Sequence, residues 1–141
     1  TSGTTGRMPL RALDGMRDWE WIADMWCYGF HAFGVRPADT TFIAFSYAQF
    51  IGFWGAHYCC EKMGCLTLAS GNMTTEQRVK QIVEMGVTVV CATPTYVLRL
   101  AEVARQRAPI LPKRPPGAGI DGPGVAVRAR RVQHAVERER T

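Results

Sequence analysis

Residues 41–68 read TFIAFSYAQFIGFWGAHYCCEKMGCLTL, with no charged residue before Glu61. The first five residues are β-branched, aromatic or small, which is typical of a short buried strand. Over residues 50–63 apolar side chains recur at helical spacing, and Gly64 supplies a stop signal. Residues 65–68 return to a strand pattern. The stretch therefore predicts a strand, a helix and a second strand in succession, which is the repeating unit of a parallel sheet.

The uncharged run of residues 40–60 is about as long as a membrane-spanning helix. Ser46, Gln49 and His57 lie within it. A buried strand, a loop and a helix of a parallel sheet give the same uncharged run, and these polar residues favour that interpretation. We therefore expect no membrane span.

The segment before this stretch predicts an amphipathic helix. Over residues 14–33 large apolar side chains recur every three or four residues, and Gly34 follows as a stop signal. The apolar stripe is rich in aromatic residues and consists of Met16, Trp19, Ile22, Ala23, Trp26, Phe30 and Phe33. Such a helix is expected to bury this stripe against a sheet.

The segment after the stretch continues the alternation. Thr74 and Gln77 have the spacing of a capping box and predict the start of a helix that Gly86 ends. Residues 87–92 give the clearest strand signal in the chain. After a break, residues 96–107 resume helical spacing.

Strands that alternate with helices predict the α/β class, here a layered parallel sheet with flanking helices. With 141 residues, of which 47% are hydrophobic, the chain has enough apolar material for the core of one domain. Ligands bind such sheets at the carboxyl ends of the strands. The loops that follow Phe45, Leu68 and Ala92 are therefore expected along one edge, and the phosphate-binding candidate described next is expected to face that edge.

The chain begins with Thr1-Ser2-Gly3-Thr4-Thr5-Gly6-Arg7, which contains no large apolar side chain. Gly3 and Gly6 allow positive φ and bring backbone N–H groups close to an anion, the hydroxyls add donors, and Arg7 adds positive charge. The spacing is not that of a P-loop, which has four residues between its glycines. We predict a phosphate-binding turn, with a flexible Ser/Thr/Gly linker as the alternative.

This turn resembles the Ser/Thr-Ser-Gly-Thr-Thr-Gly signature of the AMP-forming, adenylate-forming enzymes, which include acyl-CoA ligases, luciferases and peptide-synthetase adenylation domains. The family usually continues with Lys-Pro, whereas this chain has Arg7-Met8-Pro9. Residues 45–65 resemble the phenylacetate-CoA ligase pattern of a Tyr-x-x-Phe loop, Gly-Ala-His-Tyr and Glu-x-x-Gly. Residues 93–96 resemble that family's Thr-Pro-Ser-Tyr element. The resemblance covers about residues 1–107 and implies a partial AMP-binding domain over residues 1–112.

The resemblance implies a two-step reaction. A carboxylate attacks the α-phosphate of ATP to give an acyl-AMP and pyrophosphate, and the thiol of CoA then displaces AMP. The residues implied to hold the ATP phosphates with Mg²⁺ are Thr1, Ser2, Gly3, Thr4, Thr5, Gly6 and Arg7. The residues implied to line the acyl pocket are Tyr47, Phe50, Ile51, Gly52, Thr93 and Tyr96. Their aromatic character suits an aryl or otherwise apolar carboxylic acid.

Structural alternatives exist for His57 of the Gly-Ala-His-Tyr element and for Thr93 and Tyr96. His57 lies at helical spacing from its aromatic neighbours, so we expect a hydrogen-bonded core histidine and not a catalytic base. Thr93 and Tyr96 could simply form the cap between a strand and a helix.

The family's Tyr-Gly-x-Thr-Glu motif, ribose-binding Asp and C-terminal-domain Lys have no match after Arg107. We therefore expect a partial N-terminal subdomain that carries the phosphate turn and the acyl pocket and is inactive alone. Its partner would be the missing remainder of the enzyme or a second copy in a homodimer. The alternative is a non-catalytic module that binds a nucleotide or a partner chain.

Residues 113–141 differ in composition from the rest of the chain. They are rich first in Pro and Gly and then in Arg, and they carry 7 Lys/Arg against 3 Asp/Glu. We expect a flexible tail, or a continuation altered by a change of reading frame. A nucleic-acid partner is not expected, because these basic residues lack interleaved aromatic residues.

The five cysteines lie in apolar, periodic segments, and no Cys-x-x-Cys pair occurs: they are Cys27, Cys59, Cys60, Cys65 and Cys91. This pattern predicts buried thiols in a cytoplasmic protein, and neither a disulfide framework nor a zinc site.

Overall fold

Helices and strands alternate along the residues that the computed structural model describes, which are 6, 11, 13–48, 50–107 and 126–128. The elements in chain order are α1 (Met16–Ala32), β1 (Thr40–Ile43), α2 (Ile51–Lys62), β2 (Leu66–Ala69), α3 (Thr75–Glu84), β3 (Val89–Cys91), α4 (Pro94–Arg107) and β4 (Ala126–Arg128). The α/β class predicted from the sequence is confirmed.

The sheet has the strand order β2-β1-β3-β4. β1 pairs in parallel with both neighbours, with Thr41 opposite Thr67 of β2 and opposite Val89 of β3. These three strands confirm the predicted parallel sheet. β4 pairs with β3 in the antiparallel direction, with Val127 opposite Val90.

The sequence predicted a flexible tail over residues 113–141, and β4 shows that this prediction is wrong for residues 126–128. Three residues inside an Arg-rich stretch are too few to show the alternation of polar and apolar residues that marks a strand. The strand forms through its pairing with the distant β3. The remainder of the predicted flexible tail lies outside the described residues.

Each face of the sheet is covered by one pair of helices, because successive strand residues point to opposite sides. Phe42 of β1 and Val90 of β3 pack with buried side chains of α3 and α4. Ile43 and Cys91 point the other way and pack with side chains of α1 and α2. The central strands β1 and β3 are thus buried on both faces, as their uncharged sequences predict.

The packing of α2 against α1 depends on one glycine. A Cβ atom at Gly55 would lie 3.1 Å from Nε1 of Trp26 and 3.2 Å from Cγ2 of Ile22. A side chain at this position would force the two helices apart. This contact fixes the position of α2, which carries part of the candidate site.

The helix boundaries follow the predicted signals. The capping box is confirmed: the hydroxyl of Thr74 accepts a hydrogen bond from the backbone N–H of Gln77, and the Gln77 side chain accepts one from the backbone N–H of Thr74. Gly64 follows α2 with a φ of 77°. α4 begins at Pro94, two residues earlier than predicted. Proline suits the first helical position because the N–H group it lacks would be unpaired there.

All five cysteines are free thiols, and four of them, Cys59, Cys60, Cys65 and Cys91, are buried as predicted. Cys27 is half-buried. Burial raises the pKa of the Cys65 thiol to about 11. The hydrogen bond that the Cys91 thiol donates to Cys60, together with burial, raises the pKa of Cys91, so this thiol is neutral at physiological pH.

Two kinds of feature are absent from the described ranges. No three His, Cys, Asp or Glu side chains of these residues lie together as a metal site. None of the described helices combines the length and the apolar character needed to cross a membrane.

Candidate functional site

The carboxyl ends of β1, β2 and β3 lie side by side, as predicted for a parallel sheet. The backbone N–H of Ala44 donates to the carbonyl of Cys91 at 2.9 Å, and the N–H of Ser70 donates to the carbonyl of Ile43 at 3.2 Å. The buried hydroxyl of Ser70 also donates to the carbonyl of Phe45 at 3.5 Å. We call this edge the strand-end rim and define it as residues 44–48, 70–72 and 92–93.

The loop after β1 has a strained backbone. Tyr47 and Ala48 have φ values of 61° and 47°, in the left-handed region that residues other than glycine seldom adopt. The N–H of Ala48 donates to the carbonyl of Ser46 at 2.8 Å, which closes a tight turn. Strained residues of this kind persist only where their surroundings hold them.

Two side chains of α2 hold this loop. Nε1 of Trp54 donates to the carbonyl of Ala48 at 3.0 Å. The hydroxyl of Tyr47 lies 2.8 Å from Nδ1 of His57. Trp54 and His57 are three residues apart, so one face of α2 fixes both positive-φ residues.

Aromatic rings line the rim beside this loop. Phe45 stacks on Phe53 with ring centroids 3.9 Å apart, and Phe50 lies 5.2 Å from Phe53. The ring of Tyr47 lies 4.8 Å from that of Trp54. We call these five residues the aromatic wall. Phe50 is 65% exposed, so the wall is accessible from solvent at this end.

Burial raises the pKa of Tyr47 well above its usual value, and the nearby Cys91, Cys60 and Glu61 raise it further. Its hydroxyl is therefore protonated at physiological pH. Tyr47 can act as a hydrogen-bonding group, and it does not supply a phenolate base or nucleophile.

His57 makes a hydrogen bond at each ring nitrogen, as predicted, but it is only partly buried. Nδ1 contacts the Tyr47 hydroxyl, and Nε2 lies 3.1 Å from a carboxylate oxygen of Glu61. The His57 side chain is 18% exposed, whereas that of Glu61 is 55% exposed.

The other predicted pocket residues on α2 are placed differently. Ile51 is exposed at the first turn of the helix. Gly52 faces α1, since a Cβ atom there would lie 3.9 Å from the Trp26 ring. Tyr47 and Phe50 belong to the aromatic wall, and Gly52 lies on the side of α2 that packs against its neighbouring helix.

Thr93 and Tyr96 follow β3, which ends beside β1, but the Tyr96 ring packs on the opposite face of the sheet from Tyr47. The hydroxyl of Tyr96 lies 3.2 Å from that of Thr75. The Thr93 carbonyl accepts the N–H of Val97 at 3.0 Å, which starts α4 in the manner of a cap. The structure therefore separates the predicted pocket residues into two groups.

The predicted phosphate turn falls almost wholly outside the described residues. Thr1, Ser2, Gly3, Thr4, Thr5 and Arg7 lie there, so their assignment stays a prediction. Gly6 is described and has a φ of 73°, with no heavy atom within 4 Å of the position of a Cβ. An open, left-handed glycine suits a turn whose N–H groups approach an anion.

Arg78 of α3 is a residue at the rim that the sequence did not single out. It is only 7% exposed. Its Nη1 donates to the carbonyl of Ala44 at 3.3 Å, and its Nη2 donates to the carbonyl of Gly71 at 2.9 Å. Its guanidinium lies 5.3 Å from the ring centroid of Tyr96. One side chain thus connects the loops after β1 and β2 with the first turn of α4.

The charge of Arg78 has no carboxylate partner among the ion pairs of the described residues. Its Nε also lacks a hydrogen-bond partner among the described atoms. The signal that could have found Arg78 is its spacing, because it lies four residues before the buried Ile82 and therefore on the buried face of α3.

No family model matches the chain. The chain is 33% identical over 107 residues to phenylacetate-coenzyme A ligase from Pseudomonas putida, covering 75% of this chain and 24% of that protein. It is 31% identical over 102 residues to the protein of the same name from Aromatoleum evansii, covering 72% of this chain and 23% of that protein. The chain thus spans about a quarter of the length of these relatives.

Solved structures of 2-hydroxyisobutyryl-CoA ligase share this fold. One, in complex with 2-HIB-AMP and CoA in the thioesterification state, has a TM-score of 0.68 at 32% identity and covers 75% of this chain and 23% of that chain. An open conformation has a TM-score of 0.64 at 25% identity and covers 87% of this chain and 30% of that chain. The chain belongs to the adenylate-forming superfamily of AMP-forming acyl-CoA ligases. Within that superfamily it is phenylacetate-CoA ligase-like.

Proposed function

We propose that this chain carries the acyl-binding and phosphate-binding part of an ATP-dependent, AMP-forming acyl-CoA ligase that adenylates an aryl or apolar carboxylic acid and transfers it to CoA. The observation that supports this most strongly is the 33% identity to a phenylacetate-coenzyme A ligase over a stretch that includes the rim. A structure with the same fold is in complex with 2-HIB-AMP and CoA, which is consistent with the proposal.

In this proposal the aromatic wall receives the organic portion of the acid. Phe50, Phe53 and Tyr47 present ring surface near the end of β1, where parallel sheets bind ligands, and the buried Phe45 stacks on Phe53. Ring surface of this kind favours an aryl or alkyl group over a charged one. The strained turn at Tyr47, held by α2, keeps these rings in place before the acid binds.

The ATP phosphates are assigned to residues 1–7, and the open left-handed conformation of Gly6 fits that role. Mg²⁺, when bound with ATP, would supply neutralisation of phosphate charge. The residues of the chain contribute binding and orientation, and adenylation requires no side-chain nucleophile from them. We propose that the 141 residues alone do not complete turnover, because the family motifs for the metal, the ribose and the catalytic Lys have no match in them.

The test is calorimetric titration of the purified chain with phenylacetate. We expect saturable binding, and we expect Tyr47→Ala to weaken it by about tenfold, the equivalent of roughly 1.4 kcal/mol of lost ring contact. The matched control is Tyr28→Ala, since Tyr28 is an exposed tyrosine on α1. An affinity that Tyr47→Ala leaves unchanged, or the absence of any binding by the wild-type chain, would refute the assignment.

A second candidate function, a partner-binding module, is favoured by one specific feature of α1. Trp21, Met25 and Tyr28 are spaced four and three residues apart on this helix, and all three are exposed. Exposed apolar stripes are typical of interaction sites. A chain that associates through this stripe and gives no heat with phenylacetate would favour this second candidate.

A further inference from the structure

We propose that His57 is a positioning residue that accepts a hydrogen bond from the Tyr47 hydroxyl. Tyr47 then offers the bound acid its ring surface and a hydrogen-bond acceptor, but no donor. This inference rests on the proposed function, in which Tyr47 faces the acid. It concerns His57 and Glu61, neither of which belongs to the aromatic wall.

Three side chains form a continuous hydrogen-bonded series that runs from the rim to solvent. Tyr47 comes from the loop after β1, whereas His57 and Glu61 lie four residues apart on α2 and therefore on one face of the helix. The Tyr47 hydroxyl lies 2.8 Å from His57 Nδ1, and His57 Nε2 lies 3.1 Å from Glu61 Oε1. The ring of Tyr47 meets that of His57 edge to face at 5.5 Å.

The chemistry of these groups fixes where the protons lie. An ionised carboxylate can only accept, so the Nε2 atom of His57 must carry hydrogen to bond to Glu61. In a neutral imidazole Nδ1 is then the acceptor, and the Tyr47 hydroxyl donates to it. The opposite tautomer would bring the Nε2 lone pair against a carboxylate oxygen at 3.1 Å, which is repulsive.

The Tyr47 hydroxyl has one proton, and this arrangement commits it to His57. The oxygen keeps lone pairs but offers no donor to a ligand. Acids that place a ring, an alkyl group or a hydrogen-bond donor against Tyr47 fit this surface. A carbonyl or a second carboxylate at that position meets only acceptors.

The loop geometry supports a positioning role. Tyr47 has a φ of 61°, and its hydrogen bond to His57 is one of two side-chain hydrogen bonds between α2 and this turn, the other being that from Trp54 to Ala48. Without His57 the Tyr47 side chain loses the partner that fixes its orientation. The hydrogen bond from Trp54 to the carbonyl of Ala48 then remains to hold the turn.

The first test reads the proton positions directly and needs no ligand. Nitrogen-15 NMR of the full 141-residue chain at pH 8 is expected to show His57 as the neutral tautomer with hydrogen on Nε2 and none on Nδ1. The variant Glu61→Gln is expected to keep the Tyr47 contact but weaken this tautomer preference, because an amide can donate as well as accept. A wild-type His57 with hydrogen on Nδ1 would overturn the inference.

The second test asks whether His57 acts through Tyr47. We expect His57→Ala to weaken phenylacetate binding about threefold in the wild-type background and to have no effect in the Tyr47→Phe background, since the hydroxyl is already absent there. His57→Asn, whose amide oxygen can accept from Tyr47, is expected to restore most of the affinity. Equal losses in both backgrounds would mean that His57 only packs α2, and would overturn the inference.

The two tests separate this inference from the proposed function. Failure of the wild-type chain to bind phenylacetate would count against the acid site, while the tautomer of His57 would still decide whether the Tyr47 proton is held as described. Normal phenylacetate binding by a chain whose His57 carries hydrogen on Nδ1 would support the acid site but reject the role of His57.

Discussion

Leu100→Ala is expected to lower the free energy of unfolding by about 2–5 kcal/mol, because it removes a fully buried side chain and leaves a cavity. Leu100 is 0% exposed and packs with Phe42 and Ile82 between the sheet and the helices α3 and α4. The loss is large relative to the total stability of a small domain, which is about 5–15 kcal/mol. Urea denaturation followed by circular dichroism measures it.

The chain offers a matched control on the same helix. Leu98 is 67% exposed, so Leu98→Ala is expected to change the free energy of unfolding by no more than about 0.5 kcal/mol. Both substitutions make the same change in helix propensity, and their difference therefore reports burial alone. Equal effects at the two positions would mean that α4 does not pack on the sheet through the face that carries Leu100.

Arg78→Met is expected to destabilise the chain by about 2 kcal/mol, because the carbonyls of Ala44 and Gly71 lose hydrogen bonds from a charged group worth about 1.5–3 kcal/mol each. Removal of a buried charge offsets part of this loss. The contact with the Tyr96 ring is lost as well. The free energy of unfolding is therefore expected to fall mainly because the two carbonyls lose their hydrogen bonds to the guanidinium.

Lys80→Met is the control for this substitution, since Lys80 lies on the same helix and its surface ion pair with Glu84 contributes less than about 1 kcal/mol. Chemical denaturation of both variants gives the comparison. Amide hydrogen exchange should also show faster opening at Ala44 in Arg78→Met. An Arg78→Met variant as stable as the wild-type chain would show that the guanidinium does not fasten the rim.

Most of the fold could be predicted from local signals in the sequence. Apolar periodicity located the helices and the three parallel strands, the Thr74 capping box located the start of α3, and Gly64 marked the end of α2. These signals act within one element or one turn, which is why a single sequence carries them. α4 begins two residues before its predicted start, because Pro94 occupies the first helical position although a proline after a strand also signals a break.

The site was less predictable, because its features depend on contacts between distant segments. Tyr47 and Ala48 adopt positive φ without being glycine, and what holds them is α2. Arg78 donates hydrogen bonds to the carbonyls of Ala44 and Gly71, and the sequence around Arg78 does not reveal these two partners. Tyr47 and Tyr96 lie on opposite faces because Tyr47 packs with α2 on the α1 side of the sheet, whereas Tyr96 belongs to α4, which packs on the α3 side.

The most direct measurement of the central claim is to map phenylacetate on the isotope-labelled chain by amide chemical-shift changes. The acyl-site assignment predicts saturable changes concentrated at residues 45–48 and 53–57, the loop after β1 and the facing turns of α2. Saturable changes confined to residues 94–107, or none at saturating acid, would contradict the placement of the acid site at the aromatic wall.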